Sequence, residues 1–541
     1  MGGLSVLRHA GAVLVLAALV AASYGGTIGH GFVFDDWHLV VENPVVRWPL
    51  ARAPELLDFG AGGISYRPLR MLSYMVDYRV GGLEPAAFHA SNLTYHLAAT
   101  LALYALAFAT IGSLGGALFA AALFAVHPLG SEAVAYVSGR RDLLLALFSL
   151  LALLCWWGTL DAAASMPKRI ATSLLASLFA ALALAAKENA AVVPLLGALL
   201  VVVRRRRDGI ATSVGRAGGI ALVLATVVLV IVARELYLER IYEAFERLGG
   251  AALAPQPALT LQVLARYGGL AVWPIDLRAD YRPPGWPLPE SPFDASSVVA
   301  ALGLAAVVAG GVWLAWRGHI AGAGLLWFVA ALLPVAQIVP YGEIVAEHNA
   351  YLPLAGLSLA AGEGADALAR RRPRFAIAVC AIIVVLLGVR AHARSSDWSD
   401  DETLWAATIE SVPRSARARQ NLGVSLARRG RLEAARGALE DSLELAPREV
   451  EVMHALATIS GRLGETERAQ RLARRAVQVR KDAGTLTFLG WVYLAEGSPR
   501  AAEKTFRAAL RLDRKNREAR RGLEEIRFRY RSAPGMGGGR G

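Results

Sequence analysis

The feature that most limits what this chain can become is a succession of apolar runs, each close to the twenty or so residues that a bilayer core demands of a helix. They lie near residues 10 to 29, 88 to 111, 113 to 127, 142 to 160, 169 to 186, 188 to 203, 217 to 237, 296 to 316, 319 to 339, 350 to 368 and 374 to 392. Hydrocarbon offers no partner to a backbone amide, so each run is expected to be helical. The first 393 residues therefore read as an all-α polytopic membrane domain of about eleven spans. Composition agrees, with 55% of the 541 residues hydrophobic and a mean hydropathy of +0.42.

Orientation follows from the cationic loops. "RRRRDG" at Arg204–Gly209 and "RRRPR" at Arg370–Arg374 belong in the cytoplasm by the positive-inside rule, together with Lys168 and Arg169. Counting spans from these loops puts the N-terminus inside, and Asp35, Asp36 and everything after residue 393 outside. The segment "ALTLQVLARYGGLAVWP" at Ala258–Pro274 would break that count if it spanned. Arg266 and Gly268-Gly269 favour an interfacial or re-entrant helix in a long outer loop, residues 238 to 295. The first run also fits a cleaved signal peptide, with Arg8 before it and "AAS" at Ala21–Ser23; the aspartates stay outside in either case.

A formal net charge of +13 does not indicate nucleic acid, because no recognition motif accompanies it and the cations flank the apolar runs or lie in the last third. The two cysteines, Cys155 and Cys380, sit far apart inside apolar runs, which excludes a disulfide framework.

After Arg394 the composition turns charged and a repeat of about 34 residues emerges. Leu422, Gly423, Gly430 and Ala435 recur as Leu456, Ala457, Gly464 and Ala469, then as Leu489, Gly490, Gly497 and Ala502. These stretches resemble tetratricopeptide repeats, in which small residues let paired helices pack closely. The expected organisation is a membrane domain over 1–393, a linker over 394–413, three repeats with a capping helix over 414–530, and a Gly/Arg tail over 531–541. Such an α-solenoid offers a concave groove to a protein or peptide.

Ionisable groups at the edge of hydrocarbon are costly and usually functional. On the expected outer face stand Asp35-Asp36 in "FVFDD", His89, Asn92 and His96 in "FHASNLTYH", and His127, Glu132, Arg140, Arg141 and Asp142 in "HPLGSEAVAYVSGRRDLL". Lys187-Glu188 in "KEN" and Glu343, Glu347 and His348 in "EIVAEHNAYLP" join them. The topology came from the arginine loops alone, so this convergence is independent evidence for a site. Each group also has a plain structural reading. Asp35-Asp36 fits a helix cap, the histidines and Asn92 fit bonds between helices, Lys187-Glu188 fits an ion pair, and Arg140-Arg141 fit lipid headgroups. No third histidine or carboxylate stands at the spacing of a metal site.

Taken in order, "FVFDD", "YRPLRMLSY", "FHASNLTYH", "HPLGSEAVAYVSGRRDLL", "KEN" and "AEHNAYLPLAG", followed by the repeats, resemble the transmembrane and tetratricopeptide-containing O-mannosyltransferases and their bacterial relatives. The resemblance implies a GT-C glycosyltransferase that moves a mannose-like sugar from a polyprenyl phosphate to an acceptor hydroxyl, such as protein Ser or Thr, on the extracytoplasmic side. It implies Asp35 or Asp36 as the base, and Arg67, Arg140, Arg141 and Lys187 as partners of the leaving phosphate. His89, Asn92, His127, Glu132, Glu188, Glu347 and His348 then shape the sugar and acceptor pocket. The lipid-linked sugar is the donor, and the sequence leaves a divalent metal requirement open. Glu347 is followed by His348 and Asn349, where the family has an arginine and a large residue. The alternative is a membrane-anchored repeat scaffold with an inactive core, which would need none of the outer charges. A transporter would hold its charges nearer the midplane. Composition and the short repeat array point to a bacterial plasma membrane, with the repeats extracytoplasmic.

Topology can be tested directly: a reporter fused after Arg394 or at Ser65 is expected to read external and one at Gly209 internal. An internal reading after Arg394 would separate the acidic loop from the other outer charges.

Overall fold

The computed structural model describes residues 2–57, 66–161, 164–208, 256–283, 286, 289, 291, 293–338 and 343–531. All regular elements among them are helical. The chain divides into two compact units, Met1–Leu404 and Trp405–Gly541.

In the first unit α1 spans Gly2–Tyr24, α2 Pro68–Gly81, α3 Pro85–Ile111, α4 Leu114–Val126, α5 Ser131–Ala135, α6 Arg140–Thr159, α7 Met166–Ala186 and α8 Val193–Asp208. They are followed by α9 Gln256–Val272, α10 Ala295–Trp316, α11 Ile320–Leu332, α12 Tyr351–Arg371 and α13 Pro373–Ser396; α14, Asp401–Ser411, runs across the boundary into the second unit. Local sequence sets the breaks. Gly112 ends α3 in the left-handed conformation, with its N–H on the Phe108 carbonyl, and the next residue, Ser113, caps α4 by accepting from the Gly116 N–H. At the far end of α4, Pro128 follows His127, whose ring accepts the Leu129 N–H.

Among the described residues six helices are long and apolar enough to cross a membrane, or seven if α4 and the Pro128–Ala135 segment form one span bent by 52°. The expected count of eleven is therefore not reached. The apolar helix Ile320–Val335 is short, α8 ends in consecutive arginines, and α12 carries Glu363, Asp366, Arg370 and Arg371. The run near 217 to 237 lies outside the described residues. Leu14, Leu174, Leu302, Ile377 and Leu386 all project at least half exposed from spanning helices, as lipid-facing side chains do.

Close helix packing uses small residues. A Cβ on Gly324 of α11 would collide with the Gly356 carbonyl of α12, and one on Gly356 would stand 2.7 Å from the Gly324 carbonyl. Backbone-to-backbone approach of this kind drives association where lipid removes the hydrophobic incentive. Residues 31–56, between α1 and α2, carry their own core, in which Phe32, Val40, Val46 and Leu56 pack on Met71, Tyr74 and Phe88. This segment is thus a built structure.

In the second unit three helix pairs follow at the repeat spacing: α15 Ala416–Arg428 with α16 Leu432–Leu445, α17 Val450–Arg462 with α18 Thr466–Val479, and α19 Ala483–Ala495 with α20 Pro499–Leu512. A last helix, α21, covers Arg517–Arg531. Gly430, Gly464 and Gly497 turn each pair at φ of 77°, 81° and 74°, a region open to glycine at little cost. Ala435, Ala469 and Ala502 are buried, and Gly490 admits the ring of Phe506.

Replacing Gly324 with valine is expected to lower the melting temperature of the detergent-purified protein, since overpacking typically costs about 1–3 kcal/mol. An unchanged melting temperature would contradict the close α11–α12 contact.

Candidate active site

The residues singled out from sequence separate into two groups, one buried in structural bonds and one gathered around Tyr136. The first group holds helices together. His89 Nε2 is 3.2 Å from the Gly31 carbonyl, and the Asn92 amide donates to the Val134 and Tyr136 carbonyls. His96 joins the Tyr351 hydroxyl to the Ala125 carbonyl. His127 Nε2 is 2.9 Å from the Ala271 carbonyl, while Nδ1 accepts from Leu129. Because Nδ1 is the acceptor, Nε2 carries the proton and the ring is neutral.

Arg140 belongs to this group as well, which corrects the expectation that it faces a leaving phosphate. It is completely buried; its guanidinium donates to Asn92 Oδ1 at 2.8 Å, the Phe88 carbonyl at 2.7 Å and Ser73 Oγ at 3.2 Å. It is also ion-paired with Asp77 and lies over the Tyr74 ring. These bonds occupy the fork that would have bound an anion.

The second group begins with the acidic pair, whose two members differ. Asp36 is fully buried. Its Oδ1 accepts from the Ser138 N–H and Oγ at 2.8 and 2.6 Å, and its Oδ2 from the Val33 N–H at 3.1 Å. Burial pushes its pKa up to about 7 against those donors. Asp35 is half-buried, and its N–H donates to the Tyr136 hydroxyl at 3.2 Å. Asp36 anchors the segment and Asp35 projects from it.

Of the cations, Arg141 and Arg70 are within electrostatic reach of Tyr136. Arg67 binds Glu188 through two nitrogens, at 2.8 and 3.3 Å; burial raises that carboxyl, but Arg67 outweighs it and brings the pKa down to about 2. Lys187 donates to Asp142 Oδ1 at 2.6 Å and Asn349 Oδ1 at 2.8 Å. Burial, with Arg141 and Arg67 nearby, lowers its pKa, while Asp142 opposes them. Arg141 donates to His348 Nε2 at 2.9 Å, and His348 Nδ1 is 2.7 Å from Glu132 Oε1. An arginine only donates, so His348 must accept at Nε2 and carry its proton at Nδ1, toward Glu132. Burial and Arg141 keep that imidazole well below its usual pKa, consistent with the neutral tautomer.

Sequence reasoning passed over Arg70. It is buried, within electrostatic reach of Arg67 and Arg141, and pushed down to about 10 by burial. The available signal was its place three residues after Arg67 in "YRPLR", in the first turn of α2, which Arg67 precedes. Glu347 is buried under Arg394, 3.2 Å from each oxygen, accepts from the Tyr281 hydroxyl at 2.8 Å and the Arg278 N–H at 2.5 Å, and lies within electrostatic reach of Glu132. Arg394 lies in a segment that the sequence marked as linker. Tyr136 itself is raised well above the usual tyrosine range by burial, then Asp35 and Asp36, with Arg141 opposing. Base candidates and cations thus meet around one hydroxyl. Among the described residues no group of three or more His, Cys, Asp or Glu could hold a metal ion.

The comparisons with known proteins bear on this arrangement. Tetratricopeptide repeat profiles match residues 415–448 and 483–516. The chain is 28% identical to human protein O-mannosyl-transferase TMTC4 over 492 residues, covering 80% of this chain and 66% of that protein. It is 25% identical to mouse protein O-mannosyl-transferase TMTC3 over 76% of this chain and 49% of that protein. A stretch of 165 residues is 39% identical to mouse TMTC1, covering 29% of this chain and 18% of that protein. The chain thus spans from about a fifth to two thirds of the length of these relatives. A solved archaeal oligosaccharyltransferase from Archaeoglobus fulgidus, in complex with an inhibitory peptide and a dolichol-phosphate, aligns over 76% of this chain and 59% of its own at 12% identity and a TM-score of 0.43. ArnT from Cupriavidus metallidurans, bound to undecaprenyl phosphate, aligns over 93% of this chain and 80% of its own at 14% identity and a TM-score of 0.40. Both scores are too low to establish a common fold.

The two adjacent arginines are expected to behave differently. Arg140→Ala should unfold or strongly destabilise the protein, since breaking a buried pair costs about 3–5 kcal/mol. Arg141→Ala should leave the melting temperature within a few degrees of wild type. Equal melting losses in both would contradict the separation of their roles.

Proposed function

We propose that this chain, a member of the transmembrane and tetratricopeptide-repeat-containing O-mannosyltransferase family, transfers a mannose-like sugar from a polyprenyl phosphate to an acceptor hydroxyl, such as a protein Ser or Thr. In this reading the membrane unit has a GT-C architecture in a bacterial plasma membrane. The site faces the extracytoplasmic side, the N-terminus is cytoplasmic, and the repeats receive the acceptor or a partner in their groove. The observation that carries the reading is the meeting of Asp35 and Asp36 with Arg70 and Arg141 around the Tyr136 hydroxyl.

The reaction needs a base for the acceptor hydroxyl and cations for the departing phosphate. Asp35 supplies the base: it is half-buried and stands beside the anchored Asp36. It takes the acceptor proton as the acceptor oxygen bonds to the anomeric carbon and the bond from that carbon to the phosphate oxygen breaks. Negative charge then grows on the phosphate, beside Arg67, Arg70, Arg141 and Lys187. In the structure Arg67 is held by Glu188, Arg141 by His348, and Lys187 by Asp142 and Asn349. A phosphate arriving among them exchanges one set of anionic or polar partners for another, so no cation is left bare in a low-dielectric setting. The Glu132–His348 pair orients Arg141 by presenting Nε2 as an acceptor.

Asn substitution removes basicity and keeps shape. Asp35→Asn is expected to lose on the order of a hundredfold or more in turnover with the melting temperature preserved, as for loss of a general base. Asp36→Asn is expected to lower the melting temperature as well, because an amide cannot accept on both sides. The assay uses purified protein, labelled polyprenyl-phosphate mannose and Ser/Thr peptides. Full turnover in Asp35→Asn would remove it as the base, and an inert wild type with every donor tried would support the scaffold alternative.

A further inference from the structure

Phe34, one residue before the acidic pair, has a φ of 51°. Bulky side chains rarely adopt this left-handed region, and such a conformation persists only where the surroundings over-determine it. Here both oxygens of one carboxylate do so. Asp401 Oδ1 accepts the Phe34 N–H at 2.7 Å and Oδ2 accepts the Trp37 indole N–H at 2.9 Å. The two bonds bracket Asp35 and Asp36, and Asp401 itself is buried. Its neighbours reach the same loop: the Ser399 carbonyl accepts the Gly31 N–H at 2.8 Å, and Trp398 stacks at 5.3 Å on Tyr136, whose hydroxyl accepts the Asp35 N–H.

We infer that Asp401 is a positioning residue for the transfer reaction: it holds Phe34 in the left-handed region and thereby sets where the Asp35 carboxylate stands. The inference rests on the reading of Asp35 as the base. Without Asp401 the Phe34 backbone relaxes toward a common conformation, and residue 35 turns with it. A displacement of this kind, with the base's chemistry untouched, reduces turnover through geometry. In the same reading donor binding depends on Arg67, Arg70, Arg141 and Lys187, whereas the Asp401 carboxylate accepts from Phe34 and Trp37.

The test compares full-length wild type with Asp401→Ala, Asp401→Asn, Phe34→Gly and the Asp401→Ala/Phe34→Gly double variant. Hydrogen exchange of peptides covering residues 31–41 reads the loop without reference to activity. Turnover with polyprenyl-phosphate mannose and a Ser/Thr peptide reads its consequence. In Asp401→Ala the loop should lose protection and kcat should fall by roughly ten- to a hundredfold, with the donor KM changed by no more than about threefold. Asp401→Asn should fall between, since its amide keeps one acceptor oxygen. In the Asp401→Ala background Phe34→Gly should restore part of the kcat lost in Asp401→Ala alone, because glycine takes a positive φ without strain. Unchanged exchange in Asp401→Ala overturns the proposal. So does a loss of kcat that Phe34→Gly fails to relieve, which would mark Asp401 as a general structural residue. If wild type transfers no sugar, the proposed function fails, while the exchange data still decide whether Asp401 holds the loop.

Discussion

The bond set of Asp36 is the constraint on which the rest of the site depends. A carboxylate taken out of water must find donors or give up its charge, and Asp36 finds them in the backbone of its own loop and in Ser138 at the entrance to α6. That requirement ties the segment after the first span to the segment before α6. It also brings Tyr136 against Asp35, and it leaves Asp35 as the member of the pair that projects. The same entrance carries Arg141, so the tie places acid and cation within reach of one another.

A second constraint is charge balance among the cations. Arg67, Arg70, Arg141 and Lys187 repel one another in a place with little water, and each pKa effect among them records it. Glu188, Asp142 and the neutral ring of His348 offset that repulsion in the absence of an anion. A site built in this way is held together by groups that a phosphate can replace. Burial, by contrast, removes Arg140 from the same role, because Asp77, Asn92, Ser73 and Phe88 already occupy its donors. Two neighbouring arginines on one helix therefore diverge: residues one apart point about 100 degrees apart, one into the protein and one toward the site.

The histidines show why type and position in sequence say little about role. His89 and His127 sit near helix ends on the expected outer side and His96 lies inside α3, yet their rings bond carbonyls and hydroxyls of other elements. Helices joined by such bonds have their backbone breaks satisfied where Pro128 and the bent α4 end would otherwise leave polar groups in an apolar setting.

The sequence by itself determined the helical character of the membrane unit and the repeat period. These depend on local periodicity, on the span length a bilayer requires and on small residues at fixed spacing, all of which are read one segment at a time. Turn glycines at 430, 464 and 497 belong to the same class, since a left-handed φ is a property of a single residue. Only the tertiary structure decided which of Asp35 and Asp36 is anchored, that Arg140 and Arg141 part company, and that Arg70 joins the cations. It alone revealed that Asp401 and Arg394, from a segment read as linker, reach Phe34 and Glu347. The reason is physical: whether a charge is available depends on which donors and acceptors distant parts of the chain bring to it, and no window of sequence contains both partners.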